Sequence, residues 1–534
     1  MTDNNELNRR GFIGAALGTA AGLGAAGLAG TAQAAAPAGQ PGNGHTDLSQ
    51  PPAAGGPPPG APGSGGQFSP IRAEVTVNHC EVTGTVPKDL DGGFYATGPD
   101  PMYPRLPNNI MFDGEGHVRM FRIRNGRVDY RTRYAKGERY LAQDKAGKSL
   151  YPMYRNPLMD DPSVRGKSRA TGNTHVINHK GLILALKEDT PPIAMDLNTL
   201  ETVDPIYTFG GQLPSTQPFT AHPKVDSRTG NLLAFGYEAE GFGSDVVSFF
   251  EIDKNTSKKL WETKIKVPYV GMIHDYGITD NYVMVYCVPL TIDHEQMKRG
   301  GIHWSWDRNG KTWFGVFRRG GDGKDLRWFE GPTRSGTHTM GVFEDGKKLY
   351  FDTEVTAGNP FPFMPNKDGS PPDFKGAESY LHRISVDLSG KGKVYNIEKL
   401  FPMSMPLPRQ DDRYNTVPYR YGYGACPDPT VDRRAAGACY ARLDLQTKSY
   451  KLWNAGTKIS LAEPVFAPKS ATSREGEGYL MGIAYHLDQN LRSDLVILDA
   501  EHVEDGPIAT VRLPVQASPQ VHGLWVRGDL YPKA

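Results

Sequence analysis

The sequence has little cysteine and little net charge. Four of its 534 residues are cysteine, and 60 basic residues almost balance 59 acidic ones, which leaves a net charge of +1. So small a net charge suggests neither a nucleic acid nor an anionic membrane as a partner. Long amphipathic helix patterns are also scarce, and the best candidate is the segment LAQDKAGKSLY at 141–151.

Most of the chain consists of short β-rich runs, such as KGLILALKE at 180–188 and NYVMVYCVPL at 281–290. Turn signals such as DSRTGN and EDGKK separate them. Many short strands at regular spacing predict a sandwich, a barrel or a propeller. The chain after residue 67 is too long for one sandwich and suits radially repeated four-stranded blades, although it has no WD or kelch signature. We therefore expect an all-β propeller with a few short helices in its loops.

The N-terminus carries a targeting pattern rather than part of the fold. Residues 8–13 read NRRGFI, and an Ala/Gly/Leu stretch and a small-residue cleavage site follow, which predicts a twin-arginine (Tat) signal peptide over residues 1–36. A membrane anchor is the less favoured alternative, because this stretch is only weakly hydrophobic. Residues 37–67 are mostly Pro, Gly and Ala and predict a disordered linker. Residues 68–534 then form one domain that we expect in the periplasm or outside the cell.

The cysteines differ in their surroundings. Cys426 and Cys439 are close in sequence and could form a disulfide after export. Cys80 and Cys287 lie in strand-like runs, so we expect them to be buried thiols.

Four histidines are the strongest functional signal: His222, His274, His338 and His522. After each of the first three, a short polar turn and an apolar β-rich run follow, which predicts a His on one strand of a hairpin. Imidazole suits iron, copper, zinc or nickel, and a set without cysteine argues against structural zinc. Inner strands of several propeller blades converge on the axis, so four distant imidazoles can meet there on one ion.

The motifs around these histidines are AHPKVD, IHDYGIT, HTMGVFEDG and VHGLWV. In this order and spacing, the chain resembles the carotenoid cleavage oxygenases over nearly the whole body. That resemblance implies a seven-bladed β-propeller with one Fe(II) on its axis, held by the four histidines. It also implies the cleavage of a carbon–carbon double bond with O2 as co-substrate.

The resemblance further implies carboxylates behind the ligands, where Glu188 and Glu463 match two family positions. A carboxylate that accepts the other ring N–H fixes the tautomer and orientation of a ligand His. The third position falls in MPLPRQDD, where Pro406 stands in place of the family's Glu. Gly341-Val342 also replaces the Asn-Ala that commonly follows the third His. We therefore expect water or a backbone carbonyl to hold His338, or an altered site.

Segments such as KSLYPMYRNPLMDDPSV and GKDLRWFEGP resemble the lignostilbene dioxygenase and isoeugenol monooxygenase branch. By that resemblance, Tyr154 and Lys187 hold a para-hydroxyl and Phe112 lies against the ring. Donors to that oxygen lower its pKa and favour phenolate, which pushes electron density into the alkene. The plainer alternatives are a solvated Lys187 and a core Tyr154. Lys187 and Glu188 are adjacent and would point to opposite faces of a strand, so both can face one cavity only if the strand is distorted.

The expected activity is cleavage of a phenolic alkene, either a stilbene or a phenylpropenoid, to aldehyde products. One alternative is an apocarotenoid cleaver with a long apolar tunnel, in which Lys187 has no role. Another is an exported propeller binding protein with a vestigial metal site, which the change at Pro406 favours slightly. A monomer or a homodimer, and a peripheral membrane contact, are all compatible with the sequence.

Overall fold

The computed structural model describes residues 70–106, 109–361, 363–371, 378–432 and 435–531. These residues form seven antiparallel sheets of four to six strands, the blades of a β-propeller, and one two-stranded sheet, which confirms the predicted fold class. The predicted signal peptide and linker lie outside the described residues. Within the described ranges, no helix is long and apolar enough to cross a membrane.

Blades 2 to 6 follow one another along the chain, each with four strands in sequence order. Their strands are, for blade 2, His175–His179, Leu182–Leu186, Ile193–Asp196 and Thr202–Asp204; for blade 3, Lys224–Val225, Leu232–Gly236, Val246–Ile252 and Lys259–Lys266; for blade 4, Tyr276–Ile278, Tyr282–Cys287, Thr312–Arg318 and Arg327–Gly331; for blade 5, Thr339–Asp345, Lys348–Val355, Tyr380–Asp387 and Asn396–Ser404; and for blade 6, Arg409–Gln410, Tyr421–Pro427, Ala438–Asp444 and Ser449–Asn454. A two-stranded hairpin, Leu290–Ile292 with Trp304–Trp306, is inserted in blade 4.

Blades 1 and 7 close the ring by combining strands from both ends of the chain. Blade 1 contains Thr76–Val77, Gly92–Thr97, Pro99–Asp100, Glu115–Arg124, Arg127–Tyr134 and the C-terminal strand His522–Arg527. Blade 7 contains Ile459–Leu461, Val465–Pro468, Gly478–His486, Arg492–Asp499, Pro507–Gln516 and the N-terminal strand Glu81–Gly84. The C-terminal strand pairs with Gly92–Thr97, and Glu81–Gly84 pairs with Pro507–Gln516. Pairing the two ends leaves no free gap between the first and last blades.

The apolar core lies between neighbouring blades, so central strands are buried on both faces. Every residue of Val246–Ile252 and of Tyr282–Cys287 is buried. Aromatic rings join these two blades: the ring centroids of Phe235 and Tyr276 lie 4.9 Å apart, and those of Phe249 and Phe317 lie 5.3 Å apart. Each such pair contributes about 0.5–1.5 kcal/mol beyond the burial of its area. This packing explains why the sequence shows continuous apolar runs rather than strict alternation.

The described residues contain two α-helices, Glu138–Ala146 and His294–Lys298. Short 3-10 turns lie at Pro157–Met159, Pro162–Val164, Asp412–Tyr414, Val503–Asp505 and Gly528–Leu530. The first helix starts before the predicted segment 141–151 and ends earlier. It ends because Gly147 adopts a left-handed conformation, with φ of 65°, and its N–H donates to the carbonyl of Gln143.

All four cysteines are buried free thiols. Cys426 and Cys439 face each other directly across two paired strands of blade 6. The sequence was therefore right that they are neighbours, and the structure holds them unbridged.

Candidate metal centre and substrate cavity

The four predicted histidines lie where the first or closing strands of four blades begin. His222, His274 and His338 each lie one or two residues before the first strand of blades 3, 4 and 5. His522 is the first residue of the closing strand of blade 1. The prediction that the first three lie within strands was therefore slightly wrong, because each strand begins just after its His. At these strand starts, all four imidazoles point toward one another.

The candidate ligand nitrogens of the four imidazoles all lie within 4.8 Å of one another. The Nε2 atom of His274 is 3.0 Å from that of His222 and 3.1 Å from that of His338. The Nε2 atom of His522 is buried and has no hydrogen-bond partner. Burial, and then the neighbouring His274 ring, hold the pKa of His222, His338 and His522 well below the ordinary value. Neutral imidazoles whose nitrogens converge in this way fit a bound metal cation.

Three of the imidazoles have a fixed outer nitrogen. The Nδ1–H of His274 donates to Glu188 Oε1, and that of His522 donates to Glu463 Oε1 over 2.9 Å. The Nδ1–H of His338 donates instead to the carbonyl oxygen of Pro406, at 2.9 Å. Of the two holders that the sequence allowed for His338, the structure has the backbone carbonyl. Each contact places the proton on Nδ1 and leaves Nε2 free for a metal.

His222 has a different neighbour, which the sequence analysis missed. Its Nδ1 lies 3.8 Å from Asp275 Oδ2, too far for a hydrogen bond. Asp275 follows His274 in the IHDYG motif and is held by Lys224, whose Nζ lies 2.8 Å from Oδ1. The position of Asp275 beside a predicted ligand was the available signal, but an Asp in a turn carries little information alone.

A buried network extends outward from Glu188. The Tyr237 hydroxyl donates to Glu188 Oε2 and accepts a hydrogen bond of 2.8 Å from Arg155 Nη1. Arg155 also forms an ion pair of 2.7 Å with Glu238. Burial acts to raise the pKa of Glu188, but His274 and Arg155 outweigh it and hold that pKa below the usual value. Glu188 is thus a charged acceptor for His274.

Glu463 has a cation of its own. Its Oε2 accepts from the N–H of Gly523 over 2.9 Å and from Arg409 Nη1 over 3.3 Å. Burial still raises the pKa of Glu463, and Arg409 opposes that rise. Blades 6 and 7 therefore contribute Arg409 and Glu463, although neither supplies a histidine.

An apolar cavity opens from the metal centre. Together with the open space at its mouth it has a volume of about 600 Å³, and its lining includes both His274 and His338. The remaining lining residues are Pro99, Phe112, Tyr154, Asn173, Thr174, Lys187, Glu188, Met272, Phe361, Leu407 and Val521. The three residues predicted to bind substrate, Phe112, Tyr154 and Lys187, therefore line the same cavity as two of the predicted ligands.

Lys187 and Glu188 both reach the cavity without a distorted strand. The strand Leu182–Leu186 ends one residue earlier, so the pair lies in the turn that follows. Lys187 is 7 % exposed, which rules out the solvated alternative for this residue. Its Nζ lies 3.1 Å from Asp189 Oδ1 and 5.1 Å from the centroid of the Tyr154 ring. Burial lowers the pKa of Lys187, while Asp189 opposes the change.

Phe112, which lines the cavity, packs against three other aromatic rings. Its ring centroid lies 6.3 Å from that of Tyr154, 5.7 Å from that of Phe361 and 5.6 Å from that of Phe363.

Asp189, the partner of Lys187, was not predicted from the sequence, although it directly follows Lys187-Glu188. Its only sequence signal was the charge run KED, which is ordinary for a surface turn.

The comparisons with known proteins agree with this architecture. The sequence model of the family described as retinal pigment epithelial membrane protein, to which the carotenoid cleavage oxygenases belong, matches residues 68–527. This chain belongs to that family. The match includes all four predicted ligands and both glutamates.

Two relatives within the family are similar over most of their length. The lignostilbene-alpha,beta-dioxygenase isozyme III of Sphingomonas paucimobilis is 40% identical over 490 residues, covering 89% of this chain and 99% of the relative. The isoeugenol monooxygenase of Pseudomonas nitroreducens is 35% identical over 468 residues, covering 86% and 97%. The crystal structure of the Pseudomonas brassicacearum lignostilbene dioxygenase superposes with a TM-score of 0.83 at 38% identity, covering 88% of this chain and 99% of that one. The predicted branch of the family is confirmed.

Proposed function

We propose that this protein is an Fe(II)-dependent oxygenase that cleaves the carbon–carbon double bond of a phenolic alkene, either a stilbene or a phenylpropenoid, with O2 to give aldehyde products. The observation that carries the proposal is the cavity itself. Lys187 and Tyr154 line the same enclosed space as His274 and His338. A phenol held by the first pair thus has its conjugated chain in the space next to the metal centre. The names of the similar oxygenases support the same reaction class.

The iron would be held by His222, His274, His338 and His522, whose nitrogens converge. Fe(II) bound there supplies the redox chemistry that activates dioxygen. Glu188 and Glu463 keep His274 and His522 in the tautomer that leaves Nε2 unprotonated. The protein's part at this end is to hold four imidazoles in a fixed arrangement.

At the other end, Lys187 and Tyr154 prepare the substrate. Burial lowers the pKa of Lys187, which helps its Nζ to accept the proton of a substrate phenol. The ammonium formed lies beside Asp189 and stabilises the phenolate. Burial raises the pKa of Tyr154 well above its usual value, so Tyr154 stays protonated and donates to the same oxygen. The phenolate then releases electron density into the alkene.

The cavity walls orient the substrate and exclude water. Phe112 lies against Phe361, which also lines the cavity, and together they offer edges and faces to an aromatic ring. Met272 and Leu407 also line the cavity that His274 and His338 line. Apolar walls favour an alkene over water there, and they strengthen the contact between phenolate and ammonium.

The test is oxygen-dependent cleavage of 4-hydroxystilbene, 4-methoxystilbene and an apocarotenal by the iron-loaded protein. We expect cleavage of the hydroxystilbene alone, and we expect Lys187→Met to lower its kcat/KM by about 100-fold, the lower range for proton transfer by a positioned group. Lys324→Met, at a lysine exposed on the surface, is the matched control. Cleavage of the apocarotenal alone would overturn the proposal in favour of an apocarotenoid cleaver, and equal cleavage of both stilbenes would refute the role of Lys187.

We also propose that the Tat pathway exports the protein, on the strength of the NRRGFI pattern at 8–13. A metalloprotein benefits from this route, because it can fold and bind its metal before export. In a bacterium with an active Tat system, the full chain is expected in the periplasm, and the double variant Arg9→Lys, Arg10→Lys in the cytoplasm. The same distribution for both would refute this route.

A further inference from the structure

His338 lacks the direct carboxylate contact that two other ligands have. His274 and His522 each donate to a glutamate, whereas His338 donates to the carbonyl of Pro406. A peptide carbonyl carries no net charge, so it raises the basicity of an imidazole less than a carboxylate does. A negatively charged acceptor near His338 would give all three imidazoles the support of a carboxylate.

A buried carboxylate lies close to His338. Glu354 is 2 % exposed, and its Oε1 is 3.8 Å from the Nδ1 atom of His338. The Thr337 hydroxyl lies between them, 3.1 Å from that Nδ1, and it donates to Glu354 Oε1. The N–H of Thr337 donates to the same oxygen over 2.7 Å. The carboxylate is thus one hydroxyl group away from the imidazole.

The hairpin of blade 5 fixes this arrangement without help from another blade. The strands Thr339–Asp345 and Lys348–Val355 are paired, and the N–H of Glu354 donates to the carbonyl of His338 over 3.1 Å. The Thr353 hydroxyl donates to that carbonyl over 2.7 Å. Glu354 therefore stays next to His338 whenever the hairpin is formed.

The other partners of Glu354 do not account for its burial. Glu188 has Arg155 nearby and Glu463 has Arg409, but in the described ranges no lysine or arginine forms an ion pair with Glu354. Its nearest ionisable neighbour is His338, whose imidazole is neutral. Its Oε2 atom is buried without a hydrogen-bond partner. Burying a carboxylate without a cation is unfavourable. A metal ion bound by His338 would supply the missing positive charge.

We propose that Glu354 is the third carboxylate of the metal centre, a positioning residue that acts on His338 through the Thr337 hydroxyl. The inference rests on the metal site proposed above. The Nδ1–H of His338 is shared between the carbonyl oxygen of Pro406 and the Thr337 hydroxyl oxygen, and the Thr337 hydroxyl donates in turn to Glu354. These hydrogen bonds keep the proton of His338 on Nδ1 and place the negative charge of Glu354 on the side of the imidazole away from the metal.

The test measures metal binding by the full chain without using activity. Fe(II) and Co(II) dissociation constants are measured for the metal-free wild type and for Glu354→Gln, which keeps an acceptor for Thr337 and removes the charge. We expect binding about 10 to 100 times weaker, the range seen when support behind a metal ligand is lost. Thr337→Val cuts the link from the other side and is expected to weaken binding as well. Glu251→Gln, at a buried carboxylate of blade 3 paired with Arg319, is the matched control.

A rescue variant separates charge from packing. Pro406→Glu in the Glu354→Gln background puts a carboxylate at the residue whose carbonyl now contacts His338, and it is expected to restore binding. Binding by both single variants within twofold of the wild type would overturn the inference, and so would a loss that Pro406→Glu fails to restore. A wild type that binds neither metal would instead refute the proposed function.

Discussion

Glu463→Gln is the substitution whose effect on the metal centre follows most directly from the hydrogen bonds. The carboxylate is 1 % exposed and accepts from three donors. These are His522 Nδ1–H at 2.9 Å, the Gly523 N–H at 2.9 Å and Arg409 Nη1 at 3.3 Å. Glutamine has the same shape, but it replaces one acceptor oxygen with an NH2 donor. Every partner of Glu463 is a donor, so the amide group meets a conflict in either orientation.

The two orientations have different costs. If the NH2 faces Gly523 and Arg409, donors confront donors, at about 1–3 kcal/mol for a buried group left unsatisfied. If it faces His522, the ring must accept at Nδ1 and carry its proton on Nε2. That tautomer removes the nitrogen that would bind the metal. In the second case we expect metal binding 10 to 100 times weaker, equivalent to about 1.4–2.8 kcal/mol.

The assay is a competition titration of the metal-free protein with Fe(II) or Co(II) against a chromophoric chelator. The nitrogen chemical shifts of the His522 ring, measured by NMR, report the tautomer independently. Glu251→Gln serves as the control for a buried carboxylate away from the centre. If Glu463→Gln folds normally, binds metal like the wild type and keeps the proton on Nδ1, the reasoning about tautomers is wrong.

Three further predictions concern stability and substrate binding. Tyr237→Phe removes the donor to Glu188 and should lower the free energy of unfolding by about 2 kcal/mol, because hydrogen bonds to charged groups contribute about 1.5–3 kcal/mol; urea unfolding measures this. Burial lowers the pKa of His179 to about 4, below an unfolded value of about 6.5, so its contribution to stability is full above pH 6.5 and falls by up to about 1.4 kcal/mol per pH unit toward pH 4. His179→Gln should flatten that part of the dependence on pH, and an unchanged slope would contradict the assignment. Phe112→Ala should raise the KM for a hydroxystilbene by about tenfold or more, since burying a Phe contributes about 1.5–3 kcal/mol, and an unchanged KM would place the ring elsewhere.

The sequence predicted the fold because local signals repeat through it. Turn residues lie at both ends of nearly every strand, and the apolar runs between them match the strands of the blades. The four histidines were predictable for the same reason, since each precedes or begins a strand at the corresponding place in its blade. The errors were local. The first helix ended at Ala146 because Gly147 turned left-handed, and the strand before Lys187 was shorter than its apolar pattern indicated.

What the sequence did not predict depends on contacts between distant segments. Arg155, Tyr237 and Glu238 surround Glu188, yet Arg155 lies 82 residues before Tyr237. No local pattern marks an arginine as buried, because its burial depends on which carboxylates other blades bring to it. Asp189 is similar, since only the cavity shows that Lys187 is its partner.

The change at Pro406 is not by itself evidence of a vestigial site. The sequence showed that a family glutamate was missing, and this favoured a vestigial site. A ligand histidine needs an acceptor for its Nδ1–H, and the peptide carbonyl of Pro406 meets that need without a side chain. The charge that the lost glutamate would have supplied is present one hydrogen bond further away, on Glu354, which comes from the hairpin of His338 itself. Because strand register alone decides that proximity, a missing side chain in a motif is weak grounds for a lost function until the residues across the hairpin have been compared.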